Sequence, residues 1–157
     1  MIPARHKYIF LLFGSVVLLW ACNNDIVYQE QKAIPAEGWH YQDYLLFEAN
    51  IQDTLSLHKL SLDIRNTTDY PYSNLFLFLE IAFPDGRILR DTIECTLADK
   101  RGQWTGSGFG RIRFNRFLFR DDVWFPSTGN YTFKIHHGMR ENTLHGIADT
   151  GIRIERK

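Results

Sequence analysis

From Leu45 onward, apolar side chains recur at every second position, and no stretch carries a helical stripe. Successive strand residues point to opposite faces, so such a run keeps one face dry and the other wet. Lys59-Leu60-Ser61-Leu62-Asp63-Ile64-Arg65 is the clearest case, with Leu60, Leu62 and Ile64 on one side. Tyr131, Phe133 and Ile135 share a side in the same way. Leu75 to Phe83 is apolar on both faces, which predicts a central strand covered on both sides. Pro84-Asp85-Gly86 is a turn tripeptide, and Arg87 to Ile93 returns as the hairpin partner. Leu45–Ala49, Arg111–Phe119 and Thr150–Glu155 add further strands, and a turn reads near Met139-Arg140-Glu141-Asn142. About seven or eight short strands between regular turns predict a single all-β domain, an antiparallel β-sandwich of immunoglobulin-like or jelly-roll-like type.

The N-terminus has different chemistry. Arg5, His6 and Lys7 precede the apolar run Ile9–Leu19, and Ala21-Cys22 follows Leu19-Trp20. A basic head, a short apolar segment and a small residue at the cut site make a secretory signal peptide over residues 1–21. The run is too short for a spanning helix, which needs about twenty residues. A cysteine directly after the small residue makes the signal that of a bacterial lipoprotein, in which Cys22 is lipid-modified and becomes the new N-terminus. Trp20 is bulky for its position and is the one departure from that pattern. A single acyl chain anchors only marginally, at about 0.8 kcal/mol per buried methylene, whereas two or three hold a protein at the bilayer. Residues 22–38 read as a tether with one short strand at Ile26-Val27-Tyr28, and residues 39–157 as the domain.

Charge and cysteine count narrow the function classes. The chain has 18 basic and 18 acidic residues. Removing Arg5 and Lys7 with the signal leaves 16 against 18, a net charge of −2. No basic excess exists to neutralise phosphates, so nucleic acid is not an expected partner. Cys95 is the cysteine that remains beside Cys22, so no disulfide framework is possible, and its alternating surroundings predict a buried structural thiol. An exported protein works without ATP, NADH or a reducing pool. That favours binding, scaffolding or hydrolysis, and no cofactor, nucleotide or metal is expected.

Several short motifs resemble catalytic signatures and fail on context. Gly106-Ser107-Gly108-Phe109-Gly110 lacks the following lysine and helix that a phosphate loop needs. Asp149-Thr150-Gly151 matches an aspartic-protease triplet, but a single copy at the C-terminus reads as a turn into the last strand. His136 and His137 are strand neighbours and point apart, and His145 adds no suitable third ligand. Asp121-Asp122 reads as a solvated turn. Arg111, Arg113, Arg116 and Arg120, interleaved with phenylalanine, read as the wet face of a half-buried strand. Trp39, Trp104 and Trp124 sit near strand ends, where they either close the core or form a platform for sugar rings.

The phrases Tyr70-Pro71-Tyr72-Ser73-Asn74-Leu75, Asp91 to Asp99 and Gly102-Gln103-Trp104-Thr105-Gly106-Ser107-Gly108 resemble the gliding-motility lipoprotein GldH family. The likeness continues through Gly129–Ile135, His137-Gly138-Met139-Arg140 and Leu144–Ile152, nearly the whole mature chain, with the lipobox cysteine in the family's place. It implies a lipid-anchored protein of the cell envelope, at the outer membrane, serving gliding motility and the linked secretion machinery through protein partners. It implies no enzymatic activity and transfers only Cys22 as a functional residue. Asp53-Thr54-Leu55 and Asp91-Thr92-Ile93 are similar to short O-glycosylation sequons of these bacteria. The expected docking surfaces are exposed sheet edges and the loops at Trp104, Met139 and Arg140. The alternative is a carbohydrate-binding lipoprotein that grips peptidoglycan or surface polysaccharide through the same aromatic loops. A Cys22→Ala variant is expected to accumulate as an uncleaved precursor that takes up no labelled fatty acid. Normal processing and labelling would contradict the lipid assignment.

Overall fold

The alternation of apolar and polar residues decides which side of each strand is dry, and the winding follows from bringing the dry sides together. The computed structural model describes residues 25–157, so Cys22 and the 1–21 segment lie outside the described residues. The strands are β1 (Ile26–Ala33), β2 (Trp39–His40), β3 (Leu45–Ile51), β4 (His58–Thr67) and β5 (Asn74–Ala82). They continue as β6 (Ile88–Thr96), β7 (Ile112–Val123), β8 (Gly129–His137), β9 (Thr143–Leu144) and β10 (Ile147–Arg156). Met139–Asn142, where a turn was expected, forms bends and no helix.

Eight strands make two four-stranded sheets, ordered β1-β10-β4-β7 and β3-β8-β5-β6, while β2 and β9 pair as a short ribbon. Every pairing is antiparallel. The first strand pairs with the last, and apart from the β5–β6 hairpin each long strand is followed by one in the other sheet. This is the double Greek key of a jelly roll, and it decides between the two expected sandwich types. An immunoglobulin sandwich would place the first two strands side by side.

The core lies between the sheets. Leu60, Leu62, Ile64, Ile152 and Ile154 come from one sheet, and Phe47, Leu77, Leu79, Phe133 and Ile135 from the other, all buried. At one end the rings of His58, Phe125, Tyr131 and Phe83 form an edge-to-face series with centroids 4.8–5.3 Å apart. The Tyr131 hydroxyl donates to the Ser127 carbonyl at 2.9 Å, so its one polar atom is satisfied there. Cys95 is fully buried, and burial pushes its thiol pKa up to about 12. It is a packing group, as its surroundings in the sequence predict.

Two expectations change. Residues 26–33 are not tether: β1 pairs with β10 from Ile26↔Glu155 to Ala33↔Asp149, and Ile34 is buried with its N–H donating to Ala148 O at 2.9 Å. The strand was hard to see because its inward positions, Tyr28, Glu30 and Lys32, are polar. Strand β5 is central but covered on one face only. Leu75, Leu77, Leu79 and Ile81 point into the core, while Phe78 is 50 % exposed on the outer face.

His137 is buried against Trp39, ring centroids 5.5 Å apart and near perpendicular. Neither ring nitrogen has a side-chain partner, and burial lowers its pKa below the ordinary 6.5. The fold therefore accommodates the neutral ring. An unfolded chain takes up the proton near pH 6.5, so the stabilising difference is present above that pH and is lost as pH falls through it. Urea midpoints measured from pH 7.5 to 5 are expected to fall on acidification, and to fall less steeply for His137→Phe. Identical pH profiles would contradict this assignment.

Candidate functional site

The residues that suggested catalysis are dispersed or already neutralised. The Asp149 carboxylate accepts the Arg65 Nε at 2.7–2.8 Å, an ion pair and not a carboxylate dyad. Gly151 lies mid-strand in β10, where a Cβ would stand 2.6 Å from the Glu30 carbonyl of β1, so glycine is required by close strand approach. Ser107 exchanges backbone hydrogen bonds with Phe114 at 2.7 and 3.0 Å, which makes the glycine-rich loop a lid folded on β7. Lys157 Nζ holds Asp121 at 3.2 Å and Asp122 at 2.5 Å. His136 is half-buried beside Tyr44, whereas His137 is in the core, so the two do point apart. Among the described residues no three metal-ligating side chains come together.

The arginines of β7 are committed to the fold. Arg116 makes two bonds of 2.7 Å to Asp63, which is only 1 % exposed. Arg120 meets Asp91 at 2.5 Å, Arg111 pairs with Asp69, and Arg113 donates to the carbonyls of Gly110 and Ile112 at 2.8 and 2.9 Å. The tryptophans divide. Trp39 is buried, and Trp104 is half-covered against the core and bridged to Ala98. Trp124 is 60 % exposed, with its indole N–H donating to the Thr54 carbonyl. Thr54 is half-buried, while Thr92 stands exposed on β6.

Met139 and Arg140 separate from Trp104. The Trp104 loop hangs on β5 from the β6 side, through Leu97 N to Ser73 O at 2.8 Å. The Met139 segment lies on the β8 side, where Gly138 N donates to Phe76 O at 2.6 Å and Met139 Sδ accepts the Phe76 amide at 3.4 Å. Met139 packs on the core and Arg140 is exposed. These residues form two neighbourhoods, not one loop surface.

A surface that sequence reasoning missed runs along the opening between β6 and β7. Each sandwich side has two edge strands. On the β1–β3 side, Glu30 and Lys32 point inward and pair at 3.3 Å, and Lys32 lies over the Phe47 ring. Inward charges of this kind protect an edge from pairing with another chain. The β6–β7 side exposes Leu89 and Trp124, while Ile88 and Leu118 stand on the outer faces of their sheets. Arg120–Asp91 ties the two sheets there. Beside that pair opens an apolar hollow of about 190 Å³, lined by Leu60, Phe83, Leu89, Val123, Trp124 and Phe133 among others. The signal in the sequence was the apolar content of both strands. It could not show that the two would lie at one opening.

A family model described as GldH lipoprotein matches residues 26–154. A gliding motility lipoprotein GldH homolog of Christiangramia forsetii is 35 % identical over 155 residues, covering 94 % of each chain. The gliding motility lipoprotein GldH of Flavobacterium johnsoniae is 31 % identical over 160 residues, covering 98 % of this chain and 99 % of that one. Among solved structures, the VP2 subviral particle of infectious bursal disease virus aligns with a TM-score of 0.35 at 13 % identity, over 85 % of this chain and 30 % of that one. That likeness is too distant to carry any functional argument.

If the β7 arginines serve the fold, their removal should register as stability. Arg116→Ala strands the buried Asp63 carboxylate and is expected to cost about 3 kcal/mol. Arg111→Ala removes a pair with both side chains mostly exposed and is expected to cost under about 1 kcal/mol. Equal, small losses in chemical denaturation would contradict the structural role of Arg116.

Proposed function

Because the chain belongs to the GldH lipoprotein family, we propose that it is a non-enzymatic component of the gliding-motility apparatus and its linked secretion machinery, anchored in the outer membrane by acyl chains on Cys22 and binding protein partners along the β6–β7 opening. The observation that carries the docking assignment is an asymmetry of the two sandwich sides. Both carry an inward ion pair, Glu30–Lys32 on one and Arg120–Asp91 on the other, and the second also presents exposed Leu89 and Trp124 at an apolar hollow. Exposed apolar residues clustered at an open edge mark protein contact surfaces.

An extended partner segment fits this opening physically. The outer edges of β6 and β7 each carry backbone groups unpaired by a neighbouring strand, which can receive an added strand. The hollow can receive one bulky apolar side chain, the kind of anchor that dominates interface energetics. Among the described residues the groups that resemble catalytic signatures are held apart, Asp149 by Arg65 and Asp121 and Asp122 by Lys157, which supports a binding role. The test is a photoreactive residue at position 89 in a strain that glides. Adducts to a discrete protein, lost together with spreading in a Trp124→Ala, Leu89→Lys variant that is still anchored and folded, are expected. Absence of adducts with normal spreading of the variant would overturn the proposal.

A further inference from the structure

The outer face of the β3-β8-β5-β6 sheet carries a second surface, distinct from the β6–β7 opening. Its centre is Phe78, half exposed in a central strand. Phe78 lies opposite His136 on β8 and Thr92 on β6, and His136 in turn meets the ring of Tyr44, 51 % exposed, at 5.7 Å. A groove of about 670 Å³ runs over Phe78, Glu80, Arg90, Thr92 and His136. A second, of about 520 Å³, runs over Tyr72, Phe76, Met139 and Glu141.

Gly138 lines the second groove and lies against Phe78 of the first. A Cβ there would stand 3.0 Å from Phe78 Cζ and 3.3 Å from Phe76 Cβ. Gly138 is not among the glycines with positive φ, so its missing side chain serves space and not backbone geometry. It lets the chain pass close under both rings and keeps the floor of the track low. Phe76 and Phe78 share this face about 7 Å apart along the strand. Two successive rings of one extended ligand can therefore each meet an aromatic side chain.

The charges on the face decide the ligand class. Glu80 accepts the Arg90 Nε at 2.8 Å, Glu94 accepts the Asn74 amide at 2.7 Å, and Glu141 accepts the Tyr72 hydroxyl at 2.5 Å. Lys134 lies 4.2 Å from the Tyr44 ring centroid. Glu80 is matched by Arg90, and Glu94 and Glu141 are held by neutral donors, so an anionic ligand finds no excess of bases on this face. What the face offers is flat apolar rings edged by fixed donors and acceptors. Pyranose rings match that arrangement, with C–H faces that stack on aromatics and hydroxyls at the rim that both donate and accept.

We propose that this face is a binding track for a neutral polysaccharide, with Phe78 as its stacking platform and the Glu80–Arg90 pair and Thr92 as hydroxyl partners. It extends the function beyond protein docking. A protein tethered by lipid and bound to partners at the β6–β7 opening would also grip envelope or external glycan.

The test is affinity electrophoresis of the full-length protein in detergent, through native gels cast with galactomannan, xylan, mixed-linkage β-glucan or polygalacturonate. Retardation by at least one neutral polymer is expected, and little by polygalacturonate. Phe78→Ala is expected to weaken it about tenfold, the value of one aromatic stacking contact. Phe78→Trp should retain it, and Arg90→Ala, at a side chain 72 % exposed, gives a second variant that does not touch the core. Failure of every neutral polymer to retard the protein overturns the proposal, as does equal retardation of Phe78→Ala or retardation by polygalacturonate alone. Adducts from position 89 should persist in Phe78→Ala, which separates failure of this track from failure of the docking assignment.

Discussion

Burial of one face of each sheet against the other is the constraint on which the rest of this molecule depends. Among the described residues Cys95 is a free thiol, so the packing of Leu62, Ile64 and Ile152 against Phe47, Leu77 and Phe133 must hold the sandwich together. Once those faces meet, every other surface is fixed. Two outer faces and two open sides remain, and function has to be distributed among them. The edge-to-face rings of Phe83, Tyr131, Phe125 and His58 close one end of the core, next to the apolar hollow.

Charge placement then differentiates those surfaces. On the outer face of the β1-β10-β4-β7 sheet, the Arg116–Asp63 and Arg65–Asp149 pairs are drawn in tightly enough that both carboxylates are buried. That face is spent on structure. The β1–β3 side is guarded by inward charges. The β6–β7 opening has an inward pair as well, Arg120–Asp91, and there and on the outer face around Phe78 large apolar side chains meet water.

Much of this was legible in the sequence. Strands β4, β8 and β10 alternate strictly, because each has one core face, and their inward residues were the ones expected. The opposed histidines followed from strand geometry alone. Strand β1 was read only as Ile26-Val27-Tyr28 within a tether, because an edge strand can place Tyr28, Glu30 and Lys32 inward, which removes the apolar rhythm. The two-residue strands β2 and β9 are too short to have a rhythm. Leu75–Phe83 was misjudged for a physical reason: an apolar outer face looks the same in sequence whether another layer covers it or a ligand does. The tryptophans have the same ambiguity. Trp39 and Trp124 both stand near strand ends, yet one is in the core and the other in solvent. Trp104 and Met139 flank the start of β5 from opposite sides, a separation only the sheet order could reveal.

Unequal use of the two sandwich sides is the central claim, and amide hydrogen exchange measures it directly. The full-length protein would be compared in detergent and in native membranes from gliding cells. Edge amides exchange fast when no strand or partner covers them. Slowed exchange across residues 88–96 and 112–123 in native membranes, with residues 26–33 and 45–51 unchanged, is the predicted result. Equal protection of both sides, or none on either, would contradict the account.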